Sequence, residues 1–100
     1  LKINKSDDLD NIKSTYMNKI VELFFRYKLK ADSYNSQIIK KDDFVIFSYV
    51  VTAFGNYNDI INLFLHINRK HKYMYIKQFD MHKSGAKLIR IDLSIDILGK

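Results

Sequence analysis

The sequence IRIDLSIDI, residues 89–97, alternates strictly between aliphatic and polar side chains. Its aliphatic members are Ile89, Ile91, Leu93, Ile95 and Ile97. Successive side chains of a β-strand point to opposite faces, so this period of two predicts a strand with one face in the core and the other in water. A helix would distribute the same residues around its whole surface. The chain must therefore contain a sheet whose apolar face is covered by other elements.

The segments before this strand also have strand composition. Residues 44–54 are apolar on both faces and rich in β-branched and aromatic residues, which is typical of a central strand. Residues 31–43 are mostly polar and predict a short edge strand that ends in a turn. Residues 74–83 predict a further strand, and its apolar alternation slips between Ile76 and Phe79, which indicates a β-bulge.

An apolar stripe with steps of three and four residues predicts a long N-terminal helix over residues 6–29. The stripe consists of Leu9, Ile12, Tyr16, Ile20, Leu23 and Tyr27. Ser6 or Asp7 is expected to cap its start. A helix of this length exceeds what a four-stranded sheet needs, so its first turns are expected to extend beyond the core. We therefore predict that Leu9, Ile12, Tyr16 and Ile20 contact a partner.

A second helix is predicted from about residue 57 to residue 70. Gly55 ends the preceding strand, and Asn56 is expected to cap the helix, with Asp59 three residues later. The predicted inner side consists of Tyr57, Ile60, Ile61, Phe64, Ile67 and Asn68. Ser84 and Gly85 then supply the turn between the last two strands.

The predicted order is therefore α-β-β-α-β-β over residues 1–100. Two helices on one face of a four-stranded antiparallel sheet form an α+β, ferredoxin-like two-layer sandwich, here with a circularly permuted element order. The length of 100 residues fits a single domain. The longest apolar stretch, residues 44–54, is shorter than the roughly 20 residues that a membrane-spanning helix needs.

Catalysis is disfavoured by the residues that the sequence offers. There is no Cys, the three Gly are isolated, and no Ser stands in a nucleophile elbow. His66, His71 and His82 lack the spacing of a metal site and are expected to be exposed. Asp92 and Asp96 are expected to be solvated on the outward face of the last strand. We therefore predict no enzyme activity, no metal and no cofactor.

A basic chain with exposed aromatic residues leaves a nucleic-acid-binding domain as an alternative. The formal net charge is +6, and Tyr73, Tyr75 and Phe79 could stack on bases. The basic-Gly-aromatic-Gly signature of ribonucleoprotein domains is missing, and solvated helix ends account for the charge. A ligand-binding regulatory domain is a third alternative, although no residue pattern marks a pocket.

The region that joins the central strand to the second helix resembles the periplasmic domain of the PilO family. Gly55, Tyr57 and Ile60 match the family pattern, and Phe64 follows one position later than the aromatic residue of that pattern. These four residues are taken as fold-defining: the glycine permits a tight turn, and both aromatic rings are expected to pack on the sheet. PilN, GspM and GspL proteins are similar at this level.

The resemblance implies a function in assembly. PilO-family proteins belong to the inner-membrane platform of the type IV pilus, and GspM and GspL belong to type II secretion. It implies a scaffold domain on the periplasmic side, preceded by a membrane helix and a coiled-coil stem that continues into residues 6–29. The implied partners are a second copy of the chain or a similarly folded PilN-like protein.

Overall fold

The computed structural model of the chain describes residues 8–70 and 73–99. One helix is followed by two strands, and this unit occurs twice. The elements are α1 (Leu9–Arg26), β1 (Lys30–Lys40), β2 (Val45–Gly55), α2 (Tyr57–Lys70), β3 (Met74–Lys83) and β4 (Ile89–Gly99). The predicted order α-β-β-α-β-β is thereby confirmed.

The four strands form one antiparallel sheet in the order β1-β2-β4-β3. β1 and β3 are therefore the edge strands, while β2 and β4 pair at the centre. The central pairing runs without interruption from Val45 opposite Gly99 to Gly55 opposite Ile89. The ferredoxin-like sandwich with permuted element order is confirmed.

The core lies between the two helices and one face of the sheet, which we call the inner face. On β4, Ile91, Leu93, Ile95 and Ile97 are buried, as their alternation predicted. The helices contribute their own buried residues to the same cluster. These are Ile20, Leu23 and Phe24 from α1 and Ile60, Leu63 and Ile67 from α2. The opposite face, which we call the outer face, carries neither of the two described helices.

Helix α1 is shorter than the predicted range 6–29. Asp8 caps it, because Asp8 Oδ1 accepts hydrogen bonds from the backbone N–H groups of Asp10 (3.1 Å) and Asn11 (3.3 Å). The predicted caps, Ser6 and Asp7, lie outside the described residues.

The end of α1 is a Schellman motif. The backbone N–H of Leu29 donates to the carbonyl of Phe24 (2.9 Å), and that of Lys28 donates to the carbonyl of Phe25 (3.0 Å). Lys28 adopts a left-handed conformation with a φ of 64°, where glycine is the usual residue. The motif turns the chain sharply and places Leu29 in the core, 3% exposed.

The edge strands agree with the prediction except in the length of β1 and in the turn that follows β3. β1 has 11 residues, so it is not the short strand that was predicted, although its edge position is confirmed. Its register shifts between Ala31 and Ser33. β3 contains the predicted bulge, which lies between Ile76 and Gln78. The turn from β3 to β4 is wider than Ser84 and Gly85 alone, because strand structure resumes only at residue 89.

Candidate interaction surfaces

Gly55 allows two parts of the core to approach closely. A Cβ atom added at Gly55 would overlap Cδ2 of Leu29 and lie 3.4 Å from its Cγ. Leu29 is buried, so its side chain cannot simply swing away. No described glycine has a positive φ. Gly55 is therefore required for space beside Leu29 rather than for an unusual backbone conformation.

The other three fold-defining residues have different environments. Ile60 is completely buried, as expected of a core residue. Phe64 is half-buried at the rim, where its ring meets Phe79 edge-on at 5.1 Å between centroids. Tyr57 is 57% exposed, so the expectation that it packs on the sheet is wrong. Tyr57 stands in the first turn of α2, and its ring lines an open cleft of about 550 Å³ with Leu88.

The stripe on α1 faces the sheet along its whole length. Leu9, Ile12 and Tyr16 are half-buried and pack against the core, so the first turns of the helix do not extend beyond it. Tyr16 stacks on Phe47 with 6.4 Å between ring centroids. Ile20 has no exposed surface, and its assignment to partner contact is wrong because it fills the core. Contact through the half-exposed flanks of the other three stays a prediction.

A buried tyrosine ties α1 to the central strand. The hydroxyl of Tyr49 on β2 donates a hydrogen bond of 2.8 Å to the backbone carbonyl of Lys13. Burial raises the pKa of the Tyr49 hydroxyl well above its ordinary value, and the nearby Tyr16 adds to this effect. The neutral hydroxyl is therefore strongly favoured in the folded chain.

A second apolar surface lies beside the edge strand β1 and was missed by the sequence reasoning. Phe25 is 82% exposed, and with Val21 and Tyr34 it lines a groove between α1 and β1. We call these three residues the β1-edge patch. Phe25 follows Leu23 by two positions, which rotates it about 200° away from that buried residue. The position of Phe25 away from the apolar stripe therefore indicates, from the sequence alone, that its ring is exposed.

The two described histidines that were predicted to be exposed have partners. Nδ1 of His66 lies 2.8 Å from the hydroxyl of Tyr27, and the exposure predicted for His66 is wrong because this pair is half-buried. His82 is exposed, with Nε2 3.7 Å from Oδ2 of Asp92. His71 lies outside the described residues. Within residues 8–70 and 73–99, no three His, Cys, Asp or Glu side chains converge as metal ligands would.

Asp92, on the outer face, is well supplied with donors. Its Oδ1 accepts from Thr52 Oγ1 (2.7 Å) and from Nε and Nη2 of Arg90 (3.3 Å each). The hydrogen bond from Thr52, together with the charge of Arg90, lowers the pKa of the Asp92 carboxyl. A carboxylate held in its charged form in this way is a structural acceptor and a poor proton donor.

Asp96 has a different environment on the same strand. Its side chain is 3% exposed, so the expectation that it is solvated is wrong. Asp96 faces Ser48 on β2 and Tyr75 on β3 directly across the sheet. Oδ2 receives a long hydrogen bond of 3.4 Å from the Tyr75 hydroxyl, whereas Oδ1 is buried and has no hydrogen-bond partner in the part of the chain that the structure describes. The alternation along β4 places Asp96 on the outer face but does not show how exposed that position is.

The aromatic residues considered for base stacking do not form one platform. Tyr75 pairs with Asp96 on the outer face, whereas Phe79 pairs with Leu93 and contacts α2 on the inner face. The bulge in β3 separates them, and β3 is an edge strand. The arrangement therefore lacks the aromatic pair on central strands that ribonucleoprotein domains use.

No protein family profile matches the sequence, and no curated protein matches it. Solved structures do match. The type 4 fimbrial biogenesis protein PilO from Pseudomonas aeruginosa superposes with a TM-score of 0.77 at 8% sequence identity, over 90% of this chain and 70% of PilO. The core region of PilO from the same type IV pilus system gives 0.66 at 9% identity, over 79% of this chain and 89% of that structure.

A protein from Akkermansia muciniphila gives a TM-score of 0.70 at 8% identity, over 84% of this chain and 49% of that protein. The expected likeness to PilO is thus confirmed for the fold. At these identities the likeness extends to the fold alone, since one fold can serve unrelated functions.

Proposed function

We propose that this chain is a non-catalytic assembly domain of a type IV pilus inner-membrane platform, or of the related type II secretion platform. The observation that carries the proposal is the likeness to PilO over 90% of the chain, with a TM-score of 0.77. The domain would act by holding a second copy of itself or a similarly folded PilN-like protein in a fixed orientation.

The chemistry of the described residues supports a role without catalysis. Asp92 is held by Thr52 and Arg90, and His66 is occupied by Tyr27. A general acid or base needs a perturbed pKa beside a pocket that can hold a substrate. The cleft beside Tyr57 is lined by Lys83, Lys87 and His82 but by no carboxylate, so a paired acid and base is lacking there.

The contact surface proposed for this function has two parts. One is the half-exposed flank of α1 formed by Leu9, Ile12 and Tyr16. The other is the β1-edge patch, where Phe25 presents a whole aromatic ring to solvent. Exposed aromatic rings grouped beside an edge strand are typical of protein interfaces, because the ring is desolvated and the free strand edge is covered on association.

The proposal includes a place in the cell. Platform proteins of this kind are anchored in the inner membrane, with the globular domain on the periplasmic side. No helix within the described residues is both long and apolar enough to span a membrane. In this proposal a membrane helix and a coiled-coil stem lie upstream of Leu1, and α1 is the junction between stem and domain.

Co-expression tests the proposal directly. The chain is co-expressed with the PilN-like protein from the same genome, and the complex is measured by light scattering after gel filtration. We expect a complex, or a homodimer of the chain alone, that Phe25→Asp weakens at least tenfold while the melting temperature is unchanged. Tyr57→Asp is the matched control, because Tyr57 is exposed on a different surface.

Two results would refute the proposal. In the first, the chain stays monomeric at high concentration and forms no complex. In addition, its gene can be deleted in the parent cell without loss of pili or secretion. The other is binding to single-stranded RNA that weakens steeply with salt, which would favour the nucleic-acid alternative.

A further inference from the structure

The outer face of the sheet holds a buried acceptor that no described residue satisfies. Strand β4 directs Ile91, Leu93, Ile95 and Ile97 to the core, so the alternate residues lie on the outer face. Among these is Asp96, which is 3% exposed although neither described helix covers this face. Ser48 on β2 and Tyr75 on β3 are its register neighbours on either side.

The two carboxylate oxygens of Asp96 are poorly paired. Among residues 8–70 and 73–99, Oδ1 has no hydrogen-bond partner, and Oδ2 receives only the long hydrogen bond from Tyr75, 3.4 Å. A bond of that length is close to the limit at which a hydrogen bond still contributes. Buried polar atoms without partners are rare in folded proteins, and each destabilises the chain. Asp92, four residues earlier, shows what a satisfied carboxylate on this face looks like.

The residues around Asp96 have the character of a site for a cationic side chain. Tyr75 stands directly opposite on β3 and is 47% exposed, so its ring can move aside or stack on a ligand. Ser48 stands opposite on β2 and is itself buried. Ile46 lies two residues before Ser48, and Leu98 lies two residues after Asp96. The two residues are half-buried and pair with each other on the same face. A carboxylate, an aromatic ring and an aliphatic rim together fit a guanidinium group.

We propose that Asp96, Tyr75 and Ser48 form a receptor site on the outer face for an arginine side chain of a partner protein. The guanidinium would displace the Tyr75 hydroxyl, donate to both oxygens of Asp96 and stack against the Tyr75 ring. The aliphatic part of the arginine side chain would lie over Ile46 and Leu98.

The chemistry favours arginine over the other cations. A metal ion would need three or more ligands, and Asp96 belongs to no such group within the described residues. An ammonium group could pair with one oxygen, but a planar guanidinium can donate to both oxygens in parallel. The site does not depend on the pilus assignment, because it rests on the contacts of Asp96 alone.

The first test is an NMR titration of the full chain with N-acetyl-arginine methylamide. We expect saturable shifts of the backbone amides of Ser48, Tyr75 and Asp96. The matched ligand is N-acetyl-citrulline methylamide, which has nearly the same shape but no charge and should give no saturable shift. Equal shifts with both ligands, or none with arginine, would overturn the proposal.

The second test separates a binding role from a structural one. Asp96→Asn should weaken arginine binding about tenfold, the loss expected for one charge-assisted hydrogen bond. It should not lower the midpoint of urea unfolding, since the oxygen of the amide can still accept from the Tyr75 hydroxyl. Asp80→Asn is the control, because Asp80 is an exposed acid opposite Asp92 on the same face. Tyr75→Phe removes the competing hydroxyl and should leave arginine binding equal or stronger.

Three outcomes would assign the site differently and defeat the proposal. Unfolding of Asp96→Asn at much lower urea would make Asp96 a structural residue. A homodimer that dissociates on Asp96→Asn would make a second copy the occupant. Coupling in a double-mutant cycle between Asp96→Asn and Lys72→Ala or Lys100→Ala would make the cation one of the chain's own, from residues outside those described.

Discussion

The side chain of Leu29 occupies the space into which a Cβ atom on Gly55 would project. The contact joins Leu29, the third residue after the end of α1 and the last before β1, to Gly55, the last residue of β2. Leu29 reaches this position because Lys28 turns the chain in a left-handed conformation. The strained turn and the glycine are therefore two parts of one packing arrangement.

Replacing Gly55 with Ala should destabilise the chain by about 1–3 kcal/mol, the usual range for an overpacked core. The added methyl group must displace Leu29, which is buried. Chemical unfolding measures the change. Gly85→Ala is the control, because its Cβ would lie at an ordinary 3.6 Å from Leu88. Equal stability of both variants would show that the Leu29 side chain can move away from the added methyl group without a loss of stability.

Replacing Lys28 with Gly should stabilise the chain by about 1 kcal/mol, since a left-handed conformation is costly for a residue with a Cβ atom. The φ of 64° at Lys28 is the basis of this expectation. Lys30→Gly, within β1, should instead destabilise. A lower melting temperature for Lys28→Gly would mean that the lysine side chain contributes more than its backbone strain costs.

Ile60 and Tyr57 should respond very differently to truncation, although both belong to the same short motif. Ile60→Ala removes a completely buried side chain and should cost about 2–5 kcal/mol. Tyr57→Ala should cost less than about 0.5 kcal/mol, as is usual for exposed positions. Phe64→Ala should fall between them, because its ring is half-buried. Thermal unfolding of the three variants checks this order.

The free energy of unfolding should fall at alkaline pH because of the raised pKa of Tyr49. Its pKa is raised in the folded chain, so above the ordinary value near 10 the unfolded chain loses this proton while the folded chain keeps it. The free energy of unfolding should therefore decrease by about 1.4 kcal/mol per pH unit from this group above pH 10, until the folded pKa is reached.

Urea unfolding of the wild type and of Tyr49→Phe between pH 9 and pH 11 would isolate this contribution. The variant should be less stable at neutral pH, because the bond to Lys13 is lost, but its stability should decline less with alkalinity. If the free energies of unfolding of the wild type and of Tyr49→Phe fall in parallel as the pH rises, the decline does not come from Tyr49.

The order of the elements could be predicted because it depends on local patterns. Alternation identified β4, the step of three and four residues identified α1, and the parity slip after Ile76 located the bulge in β3. Asn56 was recognised as a cap, and its Oδ1 accepts from the backbone N–H of Asp59 at 2.8 Å. Each of these signals lies within a few residues of the feature it specifies.

The surfaces could not be predicted to the same extent, because exposure depends on residues distant in sequence. Tyr57 lies at the inner side of the helical pattern, yet it belongs to the first turn and projects beside the β3–β4 turn. Asp96 occupies an outward position of β4, yet it is buried and accepts a hydrogen bond from Tyr75. Its neighbours Ser48 and Tyr75 lie on β2 and β3, whose register with β4 no single segment reveals.

The central pairing of β2 with β4 also means that each half of the chain supplies one central and one edge strand. Two copies could therefore exchange their first halves and rebuild the same β2–β4 ladder across the boundary between molecules. Only Asn56 separates β2 from α2, so the crossover would have to form by straightening that one junction. Such an exchange would join two chains through a shared sheet, with the β2–β4 hydrogen bonds running between molecules.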